Sequence, residues 1–385
     1  MGKAKTVGNK PATEPTMQLA SPSWERTLRE TIESIAIAFI LAFLFRTFEA
    51  EAFVIPTGSM APTLQGRHKD VVCPECGYEY RVSASSEVDR DGNRLPNCNV
   101  QGALCPMCGF DLRMDPNDLK AVEAYPSYSG DRIIVNKFAF DVSDPQRWDV
   151  VVFKYPEDAK TNYIKRLVGL PNERFQIRHG DVFTAPPGSD QFQIARKSPE
   201  KVRATLQPVY DNDYALPKLI EAGVRPRWQP WVRLGEKSNW TTSSDFKSFA
   251  AEGASGAPAW IRYQQIEPTQ EIWQRITQHQ HVTPPEPSLI YDDYAYNDGD
   301  DGGCGYPHGT PHPVGDLAVD CKLEAKNNQG AVTLELVKGG RQFRCRIDLG
   351  TGEAKLSISG LADYAPTAST AIRGPGTYDL SFANV

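Results

Sequence analysis

Residues 34–45 read SIAIAFILAFLF without a charge, and this is the one concentrated apolar stretch in the 385 residues. Extended to Ile32 and Phe48 it counts 17 residues, or about 25 Å of helix. That is short against a hydrocarbon layer of about 30 Å. Glu33 and Arg46 stand near its two ends, where their charges reach the interfaces while the middle stays in hydrocarbon. Residues 1–23 are polar and rich in Pro and Thr, the composition of a solvated tail. Lys3, Lys5, Lys10, Arg26 and Arg29 all precede the apolar stretch. This basic excess puts the N-terminus inside and everything after Thr47 on the far side. Two other readings compete. Ala50-Glu51-Ala52 has the small-x-small form of a secretory cleavage site after an 11-residue apolar core, although an n-region of over thirty residues and the intervening Arg46 oppose removal. A buried soluble helix is the third.

Composition narrows the rest. A chain of this length holds two or three domains. A net charge of −6 gives no cationic footprint, which excludes a nucleic-acid partner. Mean hydropathy of −0.45 excludes a polytopic membrane protein but leaves room for one anchor. With 30 Pro, 30 Gly, 15 Tyr and 16 Phe beside repeated short Val/Ile/Leu runs, the chain is expected to be mainly β, with helix needed only near the start.

After the apolar stretch, residues 51–56 read as an extended strand, because Pro56 pushes Ile55 out of helical space. Ser59 then falls on a turn, with Gly58 before it allowing close approach and Pro62 stiffening the exit. Taken alone, Thr57 and Ser59 simply punctuate a loop. Three further runs read as strands: residues 130–137, 148–154 and 163–171. In the last of these, alternation puts Tyr163, Lys165 and Leu167 on one face. A lysine among such neighbours is expected to lose water, and an amine serves as a base for a serine hydroxyl only in dry surroundings. The competing reading is a lysine that snorkels to solvent from an edge strand.

Ile55-Pro56-x-Gly58-Ser59-Met60-x-Pro62-Thr63-Leu64, Gly130-Asp131-x-Ile-x-Val-Asn-Lys137, Asp149-Val-Val-Val-Phe153 and Tyr163-Ile-Lys-Arg166-x-x-Gly169-x-Pro171 resemble, in order, the boxes of type I signal peptidases. The resemblance covers Ile32 to about Gly180, less an insertion. It implies that Ser59 attacks a scissile carbonyl and that neutral Lys165 is the general base, with no histidine and no catalytic cofactor. Thr57, with the Ser59 backbone N–H, takes the oxyanion-hole position. Ile55 and Met60 border a small apolar pocket, and Phe53, Ile55, Pro56, Tyr163 and Ile164 hold the substrate as an added strand whose alternate pockets accept Ala-x-Ala. The implied partners are preprotein signal peptides and the lipid bilayer. The implied location is the cell membrane, single-pass, with the catalytic domain outside. Asn172-Glu173 stands where the family has Gly-Asp, a change expected to be tolerated on a turn. The family's last box, a Gly-Asp-Asn-Ser stretch ending in Ser-x-Asp-Ser-Arg that supplies a lysine-orienting serine, finds no match after Lys165, and Gly315-Asp316-Leu317-Ala318 is only an echo. Residues 378–385 alternate like an unfinished strand, so the chain is expected to be truncated before that box and, if so, inactive.

Between Gly66 and Gly130 lie two knuckles, Cys73-Pro-Glu-Cys76-Gly77 and Cys105-Pro-Met-Cys108-Gly109. Each points two thiolates at one ion, and together they form a tetrahedral structural zinc site with bonds of about 2.3 Å. Four thiolates close the coordination sphere, which excludes a catalytic metal. Oxidation to disulfides is the competing outcome beyond a membrane. Asp91-Gly92 suits a hairpin turn within the interval, and Cys98 is left over.

Residues 186–287 are irregular and Pro-rich, with a helix candidate at 268–278. From Ser288 short alternating strands return at 317–323, 331–337, 342–347 and 354–358. This rhythm suits a β-sandwich or jelly roll and loosely resembles concanavalin-like lectin domains. Asp292, Asp293, Asp298, Asp300 and Asp301 form an acidic cluster that reads as a solvated loop or a calcium site. Cys304, Cys321 and Cys345 allow one disulfide, which spacing alone does not assign. His308 and His312 show no ligand spacing.

By these signals the chain divides into a cytoplasmic tail (1–30), a transmembrane anchor (31–48), a signal-peptidase-type catalytic domain (49–66 and 125–185), a zinc-ribbon insertion (67–124), an irregular insertion (186–287) and an incomplete β-sandwich domain (288–385). The expected function is removal of signal peptides by a Ser59/Lys165 dyad. The alternative is a catalytically degenerate, membrane-tethered protein that uses the distal sandwich to bind glycans or proteins.

Overall fold

The computed structural model describes residues 24–44, 50–89, 92–232, 238–251, 258–292, 303–304 and 311–384. The chain divides into two compact units, one comprising residues 1–52 and 134–144 and the other residues 53–133 and 145–385.

The first unit holds the helix Trp24–Leu44. Its first half is polar. Arg26 pairs with Glu30 at 3.5 Å and Arg29 with Glu33 at 2.7 Å, one turn apart on its surface. Its second half, from Ile35, is apolar except for small residues, and none of the helix is buried; Phe39 is 73% exposed. Among the described residues no helix is long and apolar enough to cross a membrane. Residues 45–48, which complete the expected anchor, and residues 1–23 of the tail lie outside the described residues.

The second unit is mainly β. Strand Val150–Tyr155 and strand Asp158–Arg166 form an antiparallel hairpin with Val151 opposite Lys165. Strands Arg174–Arg178, Asp181–Ala185 and Gln193–Ile194 make a three-stranded sheet. Each cysteine knuckle sits in the turn of its own short hairpin. The first joins His68–Val72 to Glu79–Ser83, the second Gly102–Leu104 to Asp111–Arg113. Between them a turn forms at Gly92, where φ is 84° and Gly92 N–H donates to Asp89 O; Asp91 lies outside the described residues.

The main core is built around these knuckles, and about a third of its buried residues come from the segment that the sequence presents as irregular. Val71, Val82, Val100 and Met107 pack in one cluster with Leu219, Val224, Ile266, Ile272, Trp273 and Val282. Helix Gln270–Thr277, capped by Thr269, buries Ile272 and Trp273. The Trp273 indole N–H donates to Cys108 O at 3.0 Å, and its ring meets Phe110 edge-on at 5.2 Å. Gly109 allows the approach: a Cβ there would stand 2.3 Å from Pro268 O. Pro-rich connections separate these apolar positions along the chain, so no periodic run betrays a shared core.

Further on, strand Ala318–Ala325 pairs with Gly376–Ala383 over eight residues, and Ala331–Lys338, Arg341–Asp348, Glu353–Ile358 and Thr367–Ser369 form a four-stranded sheet. Gly339 and Gly340, at φ 57° and 76°, supply the two-residue turn between Lys338 and Arg341. Of the stretch 378–385 that reads as an unfinished strand, residues 378–383 pair with residues 318–323, and Val385 lies outside the described residues. Cys98, left over in the sequence, forms a disulfide with Cys304 across 206 residues, with Cα atoms 5.4 Å apart, while Cys321 and Cys345 are free. Spacing gives no hint of this pairing because it joins the ribbon to a distant loop.

Because Trp273 is buried against the second knuckle, Trp273→Ala is expected to destabilise the second unit by about 3–5 kcal/mol, read as a fall in the urea midpoint.

Candidate functional site

The turn carrying Ser59 is held from below by backbone. Ile55 N–H donates to Asp131 O at 2.9 Å, and Arg67 N–H donates to Pro56 O at 3.2 Å. Gly58–Met60 then forms a single 3-10 turn, with Ala61 N–H closing onto Gly58 O at 2.8 Å. Thr57 precedes it in extended conformation and its hydroxyl does not cap the turn. The opening N–H groups of such a turn have no acceptor within it, so they are available to an incoming oxygen. Ile55 and Met60 are buried, at 3% and 6% exposed, and fix the turn from its apolar side. Two glycines make the arrangement possible. A Cβ on Gly66 would lie 2.2 Å from the Thr57 carbonyl carbon, and one on Gly130 2.0 Å from Ile55 O. The Asp131 carboxylate accepts from Gln65 N–H at 2.7 Å and Asp131 N–H donates to Gln65 O at 2.9 Å, closing the cradle. Gly66 escapes the sequence reading, although a glycine just beyond a nucleophile turn is a cue for close backbone approach.

Lys165 comes to this turn on the outer strand of the hairpin. Its Nζ stands 3.5 Å from Ser59 Oγ, donates to Ile164 O at 3.1 Å and lies 5.5 Å from the centre of the Tyr163 ring. Next to it, the Arg166 guanidinium donates to Trp148 O at 3.1 Å and to Thr63 Oγ1 at 3.3 Å, and so ties the lysine strand to the exit of the Ser59 turn. Thr63 in turn donates to Ala204 O, and Gln207 donates to Ala61 O at 3.2 Å. Phe53, Tyr163 and Ile164 are partly buried and Pro56 and Thr57 exposed around the pair. The expected dry pocket is absent from this arrangement: Ser59 and Lys165 are both exposed. Among the described residues the lysine strand pairs with one strand alone, Val150–Tyr155.

Glu173, at the position expected to matter little, has a defined place. Asn172 takes the left-handed conformation with φ 57°, and Glu173 receives Leu170 N–H at 2.7 Å and the Arg147 guanidinium at 2.6 Å. The Arg147 guanidinium holds the Glu173 carboxyl below the usual carboxylate range. Arg147 also donates to Val168 O, so this pair anchors the loop that follows the lysine strand.

The four knuckle cysteines converge. Their sulfurs all lie within 4.8 Å of one another, with Cys73 and Cys108 at 3.5 Å and Cys76 and Cys105 at 3.6 Å, and all four are free of disulfides. A tetrahedron with bonds of about 2.3 Å separates its sulfurs by roughly 3.8 Å, so the set fits one ion. The two halves are alike. Gly77 N–H donates to Cys73 O and Gly109 N–H to Cys105 O, both at 2.9 Å, with φ of 77° and 69° at the two glycines. Hydrogen bonds from Cys105 and Cys108 hold the Cys73 and Cys76 thiols below the usual thiol range, while the other three sulfurs push Cys108 up. Each thiolate formed in so close a cluster opposes ionisation of the next, a conflict that a cation relieves. This cluster can hold a metal.

Of the acidic cluster, Asp292 alone is described; it exchanges hydrogen bonds with His312, accepting its N–H on the carboxylate at 2.8 Å. Asp293, Asp298, Asp300, Asp301 and His308 lie outside the described residues.

Residues 28–89 and 115–212 match the family described as signal peptidase, peptidase S26. Signal peptidase I of Pseudomonas fluorescens is 50% identical over 56 residues, covering 11% of this chain and 20% of that protein. Signal peptidase I of Leptolyngbya laminosa is 26% identical over 180 residues, covering 45% and 58%, and signal peptidase I P of Bacillus subtilis subsp. natto is 25% identical over 152 residues, covering 40% and 48%. Each of these alignments spans less than two thirds of the relative's length. The resemblance to type I signal peptidases stands on these matches. Cys98, Cys105 and Cys108 fall in the interval between the two matched stretches. No solved structure matches the chain.

The depressed carboxyl of Glu173 stabilises the fold above its unfolded value of about 4.3, and that contribution is lost as pH falls through the lower folded value. Glu173→Gln is expected to cost about 1–2 kcal/mol at pH 7, with the difference from the parent vanishing in acid, as read from urea midpoints across pH.

Proposed function

We propose that this chain, which over residues 28–89 and 115–212 is of the signal peptidase S26 type, is a membrane-bound serine endopeptidase that removes signal peptides from translocated preproteins. The observation that carries this reading is the 3.5 Å approach of Lys165 Nζ to Ser59 Oγ across 106 positions of sequence. Neutral Lys165 takes the Ser59 hydroxyl proton as the oxygen attacks the scissile carbonyl. The Ser59 N–H and the Thr57 hydroxyl receive the oxyanion. Lysine then returns the proton to the leaving amine, and water, deprotonated by the same lysine, releases the acyl group from Ser59.

The edge of strand Asp158–Arg166 that is unpaired among the described residues suits a substrate bound as an added strand, with Ile55 and Met60 lining a shallow pocket for a small side chain. A chain laid there also removes water from the exposed pair, which supplies the dryness the amine needs. The unburied helix Trp24–Leu44 anchors the molecule in the bilayer with its N-terminus inside and the peptidase outside. The four-cysteine cluster holds structural zinc.

A second reading, a degenerate scaffold that binds glycans or proteins through the distal sheets, is favoured by one observation. The lysine amine is exposed and donates to Ile164 O at 3.1 Å.

Detergent-solubilised protein offered a preprotein with an Ala-x-Ala site is expected to cleave it. Ser59→Ala and Lys165→Ala are expected to abolish cleavage, and Thr57→Val to lower kcat by about a hundredfold, the worth of one oxyanion donor. Equal cleavage by all variants sinks the dyad, and an inactive parent favours the binding protein.

A further inference from the structure

The cysteine cluster and the Ser59 turn are fastened to each other at two places. On the entry side, strand His68–Val72 runs directly into Cys73. It starts just after Gly66 and Arg67, the residues whose backbones support Thr57, Gly58 and Pro56. His68 is buried, and its Nδ1 donates to Gly66 O at 2.7 Å, which locks that glycine in place. On the exit side, Met107 lies between Cys105 and Cys108 and is 2% exposed. Its sulfur accepts Asp211 N–H at 3.1 Å. Four positions before Asp211, Gln207 donates to Ala61 O, and Ala204 O accepts the Thr63 hydroxyl. Both flanks of Ser59 are thus bonded to backbone whose other end is rooted in the knuckles.

A bound ion contributes its binding free energy directly to the folding of the hairpins that supply its ligands. We propose that a thiophilic divalent cation held by Cys73, Cys76, Cys105 and Cys108 is the clamp that orders the Ser59 turn, through Gly66 and His68 on one side and through Met107 and the 204–211 segment on the other. The metal takes no part in the chemistry, yet the nucleophile's placement depends on it. This clamp rests on the metal reading of the cluster given above; it is independent of whether the dyad cleaves peptides.

The test uses the full chain carrying Ser59→Ala, in detergent and without reductant, so that no catalytic event enters the readout. Zinc-loaded protein is expected to hold one ion per chain. Removing the ion with a chelator under anaerobic conditions is expected to raise amide hydrogen exchange about tenfold or more in peptides covering 54–68 and 204–212, with restoration on adding zinc. Peptides covering 331–348 are expected to change less than about twofold. Met107→Leu keeps all four thiols; it is expected to retain the ion while exchange rises in 204–212. The proposal is overturned if the protein binds no zinc, if verified metal-free protein keeps its protection in 54–68, or if every region opens together. Unchanged exchange in Met107→Leu overturns the exit-side connection.

Discussion

A backbone can press against another where its own Cβ would point only if that residue is glycine, and around Ser59 this condition is met twice. Gly66 lies against the Thr57 carbonyl and Gly130 against that of Ile55, at separations that a single methyl group would forbid. Everything else at the site follows from this. Asp131 can reach both Gln65 and Ile55 with its backbone and carboxylate, the 3-10 turn is lifted into a fixed position, and the strand bearing Lys165 meets a nucleophile that does not wander. Arg166 adds the lateral restraint by joining Trp148 O to Thr63. Side-chain chemistry at Ser59 is therefore supported by contacts in which side chains are missing.

Much of this was visible in the amino-acid order, because the signals are local. The strand read at 163–171, which ends at Arg166, the glycine-flanked knuckles, and the alternating runs that became Ala331–Lys338 and Arg341–Asp348 all announce themselves within a few residues. What stayed hidden depends on chain segments that meet from afar. Trp273 reads as one aromatic in a short helix, and only the fold shows that it seals the second knuckle. Glu173 looks like a tolerated departure on a turn until Arg147, 26 positions earlier, is found beside it. The exposure of Ser59 and Lys165 was also unreadable, since alternation tells which face a lysine shares but not what covers that face.

The openness of the pair is physically coherent with the chemistry proposed for it. A permanently sealed amine beside a serine would need a route for an extended polypeptide to enter, and a strand that among the described residues pairs on one side alone suits such a route. Desolvation then arrives with the substrate. The distal sheets are separate from this economy: their cores are Leu336, Ile347 and Leu380, and their turns are set by glycines of their own.

The eight cysteines are sorted into three fates within one polypeptide: a linked pair, Cys98 with Cys304; four gathered thiols; and two bystanders, Cys321 and Cys345. Cys98 sits between the two knuckles in sequence, so an oxidant acting early would find several wrong partners nearer than the right one. The fold resolves this by position: the four knuckle sulfurs face one another within 4.8 Å, and Cys98 is met by a loop some two hundred residues further along.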